Sequence, residues 1–500
     1  MTTATRPLTI LLEMRPALDG HAGIPQETRL LFRGLSLLDN VHVEGLLQTS
    51  GRVLAPGLPP AKAGRRAPLP TDQQLNRLGQ VVITIEQSRW DDSIRAAVNA
   101  IGMVIWHLLG GKERLTLFDS LQFRDFLWHR FFARTLQPAD FDVVTSAAFR
   151  IAHLPWTALQ ICGLLTAKLG YALYPRLDTA DFDVMIVETP YPASVSRRTK
   201  LIVRYHDAIP LLMPHTISDR SYHQAAHYHT LRKNVQSGAW FVCVSEATRK
   251  DLLSIFPQLE ARSLTIHNMV SHNYFDEASS AIRVPEIIKT RLNTGFEPPL
   301  DPSLRHRLFE GVAPPKSVEY LLIVSTVEPR KNHLTLLSAW EWLRVEKYPA
   351  LKLVIVGTLG WHNKEIVRKF RPWMDRGDVL LLQDVPPSEL RVLYKHARAT
   401  VCPSFGEGFG YSGVEAMKSG GVVIASDIAV HREVYSDAAE YFNPYSVDDL
   451  SRAIQDVIDA AHPTRRAELV TKGASVSCRY DDEAILPKWR AFLFQSQAAI

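Results

Sequence analysis

The chain alternates short apolar runs with longer stretches in which apolar and polar positions are mixed. The first apolar run, residues 8–12, is followed by a glycine- and proline-containing loop and then by a helix-like stretch over about 26–38. Residues from about 51 to 180 are mostly helical in pattern. Strand-like runs then return, at 184–187, 201–205 and 240–244. Short apolar and β-branched runs separated by helices are typical of buried parallel strands.

A proline-rich segment separates this half of the chain from a second alternating pattern. Prolines lie among polar residues at positions 285, 298, 299, 302, 314 and 315. Further strands are predicted beyond them, at 321–324, 353–356, 379–382, 399–402 and 422–425. The two alternating stretches predict an α/β protein of two Rossmann-like, doubly wound lobes that face a central cleft. In such sheets, ligands bind beyond the carboxyl ends of the strands.

The pattern predicts four segments of unequal length. An N-terminal lobe would span 1–280 and contain a largely helical insertion at about 51–180, and a linker would follow at 281–317. The C-terminal lobe would span 318–478, and a final helix over 479–500 could return to the N-terminal lobe.

Composition narrows the function classes. The 500 residues exceed a single hydrophobic core, and 46% hydrophobic with 22% charged residues is ordinary for a globular protein. The four cysteines are far apart, which argues against a disulfide framework or a zinc knuckle and fits a reducing compartment. The net charge of +5 comes without a concentrated basic stripe, so no nucleic-acid partner is expected. We find no signal peptide and no apolar run of about 20 residues, so a cytoplasmic location is expected.

A glycine-rich segment follows the strand predicted at 399–402. It reads PSFGEGFGYSGVE over 403–415. Gly406, Gly408 and Gly410 would let the backbone come close to a ligand. The helix predicted from about residue 413 offers free N–H groups and a positive dipole end to a phosphate or a sugar hydroxyl.

Two glutamates lie in this segment. Glu407 and Glu415 could each accept hydrogen bonds from vicinal hydroxyls, one pair on a hexose and one on a ribose. The alternative for Glu415 is a capping box with Ser412, in which the glutamate only closes the helix start.

An Arg-Lys pair follows the strand that ends at Val324. Arg330 and Lys331 lie in the sequence STVEPRKNH over 325–333, so both cations are expected at the carboxyl end of a strand. There they could neutralise the diphosphate of a leaving nucleotide and stabilise the charge that grows in the transition state. The alternative is a solvated surface turn.

These two segments resemble glycosyltransferase family 4, a GT-B-type family. The resemblance rests on a glutamate-x7-glutamate signature, met here by Glu407 and Glu415, and on an E-P-R-K-N turn at 328–332. It is close over about 320–445 and patchy in the N-terminal half, where it covers 204–210 and 244–248. It implies a retaining, metal-independent glycosyltransferase that needs no cofactor and takes a nucleoside-diphosphate sugar as its donor substrate.

The resemblance also implies roles for individual residues of the C-terminal lobe. Glu407 would bind hydroxyls of the donor sugar and Glu415 the ribose, while Arg330 and Lys331 would bind the diphosphate. The remaining donor-binding positions are the backbone around Gly408, Phe409 and Gly410 and the base-binding loop at Asp384 and Val385.

Two residues of the N-terminal lobe would complete the site. Gly23 would approach the phosphates from the opposite lobe, and His206 would lie near the reacting centre and the acceptor. The alternative for His206 is a structural histidine bonded to the backbone. Many relatives continue the first glycine turn as G-I-G-R-Y, whereas this chain reads G-I-P-Q-E over 23–27, which alters the acceptor side.

The sequence D-F-D occurs at 140–142 and at 181–183 and spells the D-x-D metal signature of single-lobe glycosyltransferases. Each copy precedes an apolar run, at 143–144 and 184–187, and therefore lies at the wrong end of a strand for that role. No metal site is expected.

The acceptor is expected to be a glycan or a lipid-linked sugar. Residues 151–177 are rich in leucine and aromatic residues with cations near both ends, so they could lie in the membrane interface at the inner face of the membrane. The alternative is that they are core helices of an enlarged N-terminal lobe.

The E-P-R-K-N turn is similar to that of mannosyl- and rhamnosyltransferases, and by analogy the donor sugar is mannose-like. The leading expectation is a hexosyltransferase of surface polysaccharide or lipopolysaccharide biosynthesis. A GT-B epimerase, a sucrose- or glycogen-type synthase and a non-catalytic partner subunit are the alternatives.

Overall fold

The computed structural model has a parallel β-sheet in each half of the chain, and helices cover both sheets. It describes residues 6–18, 20, 23–59, 70–87, 101–103, 105–106, 109–168, 170–217, 219–292, 318–459 and 463–495. The predicted two-lobe α/β fold is confirmed. Within the described residues, no helix has the length and apolar composition to cross a bilayer.

The strands of the N-terminal half are β1 Leu8–Glu13, β2 Val41–Leu47, β3 Glu113–Arg114, β4 Thr116–Phe118, β5 Phe149–Ile151, β6 Leu177–Asp178, β7 Val184–Val187, β8 Lys200–Tyr205, β9 Trp240–Cys243 and β10 Ser263–Thr265. The main sheet has the order β10-β9-β8-β7-β1-β2-β5-β4, and β3 pairs separately with β6. Within the main sheet β4 runs antiparallel to β5, and the other neighbours are parallel. Strand β1 is almost wholly buried because helices cover both faces of the sheet.

The strands of the C-terminal half are β11 Tyr320–Val324, β12 Lys352–Val356, β13 Val379–Leu382, β14 Ala399–Cys402, β15 Val423–Ser426 and β16 Ala439–Phe442. They form a parallel sheet in the order β13-β12-β11-β14-β15-β16. The strand order reverses between β11 and β14, and such a switch point opens a crevice beyond the carboxyl ends of the strands. The Arg-Lys turn follows β11 and the glycine-rich segment follows β14, so the topology brings both to this crevice.

The helices of the N-terminal half are α1 Ile24–Ser36, α2 Thr71–Glu86, α3 Arg124–Leu127, α4 Phe141–Thr145, α5 Trp156–Ala167, α6 Ile209–Leu212, α7 Arg220–Gln236, α8 Glu246–Ile255 and α9 Arg283–Arg291. Those that follow are α10 His333–Glu346, α11 Lys364–Met374, α12 Pro387–His396, α13 Tyr411–Lys418, α14 Ala429–Tyr435, α15 Val447–Ile458, α16 Pro463–Ser477 and α17 Asp482–Gln495.

The segment over 51–180 is less helical than predicted, because β4 and β5 extend the main sheet within it. The apolar pair at 143–144 is not a strand but part of α4. The reason is local: the Asp140 carboxylate accepts from the Gln137 N–H in a capping box that starts a helical turn.

The predicted linker over 281–317 is wrong in its first part. Residues Arg283–Arg291 form helix α9, whose Val284, Ile287 and Ile288 are buried against the C-terminal lobe. Their apolar spacing is helical, but the neighbouring prolines obscured it. Residues 293–317 lie outside the described part of the chain.

Most of the apolar side chains over 151–177 are packed inside the N-terminal lobe. Leu159 and Tyr174, for example, are buried in a core cluster with the strands of the main sheet. The exposed ones among the described residues are Leu165, at 39%, and Tyr171, at 80%. The described part of the segment therefore belongs mainly to the protein core.

Helix α17 ends the described chain and packs on the N-terminal lobe. Trp489 is completely buried there, and the Arg204 guanidinium carbon lies 5.4 Å from its ring centroid. At the start of the helix, Asp482 pairs with Arg33 of α1. Helix α17, near the C-terminal end of the chain, thus completes the core of the N-terminal lobe.

The replacement Trp489→Ala is expected to lower the free energy of unfolding by about 3–5 kcal/mol, because it leaves a large cavity in a buried cluster. Urea unfolding followed by circular dichroism measures this. Trp342→Ala is the matched control, since Trp342 is 47% exposed, and it should change the free energy by no more than about 0.5 kcal/mol. Equal losses in the two variants would contradict the role given to α17.

Candidate active site

A cleft of about 480 Å³ lies between the two lobes. Among the glycines that the sequence analysis named in the glycine-rich segment, Gly406 does not line it. The other site candidates do: His206 and Gly23 from the N-terminal lobe and Arg330, Lys331, Asp384, Val385, Glu407, Gly408, Phe409, Gly410 and Glu415 from the C-terminal lobe. The structure therefore brings the two C-terminal motifs and the facing lobe to one place.

The Arg-Lys turn is held rigidly and is not a solvated surface turn. It forms a short 3-10 turn, Pro329–Lys331, which ends at Asn332 in the left-handed conformation with φ 57°. The Asn332 amide donates to the carbonyls of Pro403 and Pro444, at 3.1 and 2.9 Å. The Phe405 N–H donates to the Arg330 carbonyl at 2.9 Å. These bonds join the turn to the glycine-rich segment.

The side chains of Arg330 and Lys331 converge on Glu407. Lys331 Nζ lies 2.6 Å from Oε1 of Glu407, and Arg330 Nη1 lies 3.0 Å from its Oε2. Arg330 also pairs with Glu328 at 2.8 Å, and the Ser404 hydroxyl donates to Glu407 at 2.6 Å. Burial by itself would raise the pKa of Glu407, but the charges of Lys331 and Arg330 outweigh burial and hold this pKa well below its usual value. Glu407 is therefore ionised at neutral pH.

Helix α13 begins at Tyr411, two residues earlier than predicted. Gly410 precedes it with φ 86°, and a Cβ there would lie 2.4 Å from the Tyr435 hydroxyl, so this position requires glycine. Phe409 is buried beside Tyr411 and Tyr480. Its ring anchors the loop and leaves the backbone of the segment facing the cleft.

Glu415 does not close the helix as a capping box. Its Oε1 accepts from the Gln26 side-chain amide and its Oε2 from the Tyr394 hydroxyl, both at 3.0 Å. Burial raises the pKa of Glu415 to about 7, although these two hydrogen bonds lower it in part. Because Gln26 belongs to the N-terminal lobe, this carboxyl links the lobes across the cleft.

The lobes also approach each other closely at Gly408. A Cβ at this position would lie 1.9 Å from the His206 carbonyl oxygen, so any side chain would push the lobes apart. The Ser245 hydroxyl donates to the Gly408 carbonyl at 2.7 Å. Nearby, Glu433 of α14 accepts from the N–H groups of Glu246 and Ala247, at 2.7 and 2.9 Å, at the start of α8.

The sequence did not single out Glu188, which holds His206. Glu188 directly follows β7, and its Oε2 lies 3.0 Å from Nε2 of His206. Burial raises the pKa of Glu188 to about 8, and the charge of nearby Arg204 only partly offsets this. Burial, assisted by Arg204, lowers the pKa of His206 to about 4. Both shifts favour the uncharged form of each group at neutral pH.

A buried ionic network behind His206 was also missed. Arg204 pairs with Glu27 at 2.9 Å, with both side chains fully buried, and the Tyr411 hydroxyl donates to Glu27 at 3.0 Å. Arg204 Nη2 donates to Asn268 at 2.6 Å. Each of these polar residues comes from a different element, so no local spacing in the sequence predicts the network. The one available signal is that Glu188 ends a run of apolar strand residues.

The D-F-D sequences lie away from this cleft. Asp183 precedes β7, accepts from Thr9 and pairs with Arg6 at the opposite end of the strand. Asp140 pairs with Arg33 at 2.8 Å. Across the described residues, no three His, Cys, Asp or Glu side chains come together in a way that could hold a metal ion.

The fold is that of the GT-B glycosyltransferases. The sucrose-phosphate synthase from Thermosynechococcus elongatus superposes over 99% of this chain and 100% of its own, with a TM-score of 0.57 and 15% identity, which is a likeness of fold. The model of the family described as Glycosyl transferases group 1 matches residues 305–474, which include most of the C-terminal lobe. The matched residues include Arg330, Lys331, Glu407 and Glu415.

Two curated relatives are mannosyltransferases of Escherichia coli. The chain is 29% identical over 225 residues to the O-antigen chain mannosyltransferase B, a match that covers 45% of this chain and 53% of that protein. It is 34% identical over 150 residues to the Serotype-specific mannosyltransferase WbdA, covering 28% of this chain and 18% of that protein. The matches thus span about half of the first relative and about a fifth of the second.

The replacement Glu188→Gln is expected to remove part of the pH dependence of stability. The raised pKa of Glu188 means that its contribution is complete below about pH 4.5 and is lost as the pH rises towards 8. Between pH 6.5 and 8 the charge of histidine side chains changes little. Over this range the free energy of unfolding of the wild type should fall, relative to that of the variant, by up to about 1.4 kcal/mol per pH unit.

Urea unfolding of both proteins at several pH values between 5 and 8 measures this difference. Glu346→Gln, at an exposed position, is the control and should follow the wild type. If the wild-type and Glu188→Gln stabilities run parallel across the range, Glu188 is not held in its neutral form.

Proposed function

We propose that the chain is a retaining, metal-independent glycosyltransferase that moves a mannose-like hexose from a nucleoside-diphosphate sugar to a glycan or lipid-linked acceptor in surface polysaccharide biosynthesis. The observation that carries the proposal is the cluster of Arg330, Lys331 and Glu407 at the switch point of the C-terminal sheet. It combines two cations suited to a diphosphate with a carboxylate suited to sugar hydroxyls. The names of the two mannosyltransferase relatives support the choice of sugar and pathway.

The binding step exchanges one anion for another. In the structure, the Glu407 carboxylate pairs with both Arg330 and Lys331. A diphosphate that approaches Arg330 and Lys331 would take over part of this pairing, since phosphate oxygens are strong charge-assisted acceptors. Glu407 would then accept hydrogen bonds from hydroxyls of the donor sugar, and Glu415 from the ribose.

The transfer step breaks the bond between the anomeric carbon and the diphosphate oxygen. An acceptor hydroxyl forms the new bond on the same face, and its proton passes to the departing diphosphate, so that no protein nucleophile is required. Arg330, Lys331 and the N terminus of α13 would stabilise the negative charge that gathers on the leaving group. In other transferases a metal ion stabilises this negative charge.

His206 would face the acceptor and the reacting sugar. Its Nε2 contacts Glu188 at 3.0 Å, so Nδ1 would be the ring nitrogen that meets a substrate hydroxyl. The lowered pKa of His206 favours a neutral imidazole, which suits the binding of a hydroxyl.

The acceptor would be delivered at a membrane surface through an apolar patch that we call the 101–109 patch. Within the described residues, Ile105 is 55%, Trp106 58% and Leu109 77% exposed. Strand β3 follows the patch along the chain and pairs with β6, which follows Tyr171. Exposed apolar side chains flanked by Lys112, Arg114, Lys168 and Arg176 match the chemistry of an anionic bilayer surface.

Lys331→Ala and Glu407→Gln are both expected to impair transfer but to differ in their effect on nucleotide affinity. Each should lower kcat/KM about a hundredfold or more in a transfer assay with GDP-mannose or the best donor of a nucleotide-sugar panel. Lys331→Ala should weaken binding of the free nucleoside diphosphate, because one charge-assisted donor is lost. Glu407→Gln should leave that binding unchanged or tighter, because the cations lose their competing carboxylate.

Calorimetric titration with the matching nucleoside diphosphate measures the affinities, and Lys369→Ala, an exposed lysine, is the control. Normal turnover by Lys331→Ala would remove this residue from the mechanism. An equal loss of nucleotide affinity in both variants would assign Glu407 to the nucleotide instead of the sugar.

Membrane binding through the 101–109 patch is tested by flotation with vesicles of phosphatidylglycerol and phosphatidylcholine at low salt. The wild type should float with the vesicles, and the double variant Trp106→Ser, Leu109→Ser should remain in the bottom fraction. The control double variant Trp342→Ser, Val345→Ser removes comparable exposed apolar area from the other lobe, 47% and 81% exposed, and should still float. A wild type that stays wholly in the soluble fraction rules the contact out.

A further inference from the structure

Arg134 is a third cation of the cleft, and it comes from the N-terminal lobe. It follows the π-helical turn Trp128–Phe132 and lines the same cleft as Arg330 and Lys331. Its one polar contact among the described residues is a long one, from Nη1 to the Leu18 carbonyl at 3.5 Å. No carboxylate of the described residues lies within ion-pair distance of it.

The charge balance of the cleft makes this cation unusual. Arg330 and Lys331 are already paired with Glu328 and Glu407. Asp207, Asp384 and Glu415 also line the cleft, so its carboxyl groups outnumber its cations. A nucleoside diphosphate adds about two to three further negative charges at neutral pH. Arg134 is the lining cation whose charge no described carboxylate compensates.

The segment that carries Arg134 is fixed by a buried arginine, Arg29 of α1. The Arg29 guanidinium is fully buried and donates to the Phe131 carbonyl at 2.6 Å and to the Thr135 hydroxyl at 3.0 Å. The same group donates to the carbonyls of Ala17 and Gly20, at 2.7 and 2.9 Å, in the loop after β1. Arg29 thus ties the residues on both sides of Arg134 to the loop that forms the wall of the cleft.

A second set of bonds holds this segment from the other side. The Thr135 carbonyl accepts from the Ser271 hydroxyl at 2.7 Å and from the Asn273 amide at 2.8 Å. The backbone around Arg134 therefore has little freedom, while its side chain is half-buried and reaches the cleft. A flexible cation on a rigid support is suited to binding an anion at a defined place.

We propose that Arg134 binds a phosphate oxygen of the nucleoside diphosphate from the N-terminal lobe, opposite Arg330 and Lys331. The inference rests on the proposed function and adds to it a residue of the facing lobe. The diphosphate would then bridge the lobes, so that donor binding would stabilise the closed cleft. A phosphate on a lipid-linked acceptor has the same chemistry, and the test below separates the two sources.

The test compares Arg134→Gln and Arg134→Lys with the wild type by calorimetric titration with UDP, GDP and the corresponding free nucleosides. Arg134→Gln should lower the affinity for the diphosphate that the wild type prefers by about tenfold to a hundredfold, as expected for a lost charge-assisted hydrogen bond. Its affinity for the free nucleoside should not change, and Arg134→Lys should recover part of the loss. The loss should shrink as salt is raised, because charge attraction is screened.

Arg124→Gln is the matched control, since Arg124 lies in the same inserted region and pairs with Asp142 outside the cleft. It should bind the diphosphate as the wild type does, and the melting temperatures of all variants should agree, which excludes a structural effect.

Unchanged diphosphate affinity in Arg134→Gln would overturn the inference while leaving the proposed function intact. If diphosphate affinity is unchanged and only the KM for a phosphate-containing acceptor rises, Arg134 binds the acceptor and the donor assignment is wrong. If the wild type binds no nucleoside diphosphate at all, the proposed function fails and the inference with it.

Discussion

The carboxylate of Glu407 is the group on which the organisation of the cleft depends. It is largely buried and ionised, and it remains so because Lys331 and Arg330 surround it. A buried charge that loses its partner is strongly destabilising, so these three side chains hold the Arg-Lys turn and the glycine-rich segment together. The same pairing keeps two cations desolvated and oriented before any ligand arrives, which is the preorganisation that electrostatic catalysis requires.

Beside the apolar packing of Val244 and Val270 against the C-terminal lobe, several contacts between the lobes are polar and come from scattered positions. Gln26 reaches Glu415, Tyr411 reaches Glu27, and Gly408 packs against the backbone of His206. The two hydrogen bonds can each exchange their partner for a ligand hydroxyl or for water. Polar contacts of this kind suit a cleft that must admit and release substrates, because they resist opening less than apolar contacts do.

The sequence predicts the fold and the donor side of the cleft better than the facing lobe. Buried parallel strands are continuous apolar runs, and the Arg-Lys turn and the glycine-rich segment directly follow two of them, so local patterns were sufficient there. The partner of Glu415 could not be predicted, because Gln26 lies 389 positions away in the chain. Glu188 and Arg204 are single polar residues in or after apolar strands, and only the assembled sheet shows that they meet.

Two errors have local physical causes. The prolines near helix α9 indicate a linker, whereas the spacing of its apolar residues is that of a helix. The apolar pair at 143–144 is typical of a strand, but the capping box of Asp140 starts a helical turn there. In both cases the sequence contains a helix signal, either apolar spacing or a capping box. Nearby prolines in the first case and an apolar pair in the second indicate a different structure more strongly.

A crystal structure of the protein with a bound nucleoside-diphosphate sugar is the most direct measurement. We expect the diphosphate on Arg330 and Lys331, the ribose at Glu415, and the Glu407 carboxylate turned from Lys331 towards hydroxyls of the sugar. A donor bound outside the cleft, or a Glu407 that keeps both cations while the diphosphate lies elsewhere, would contradict the exchange of anions on which the proposed function rests.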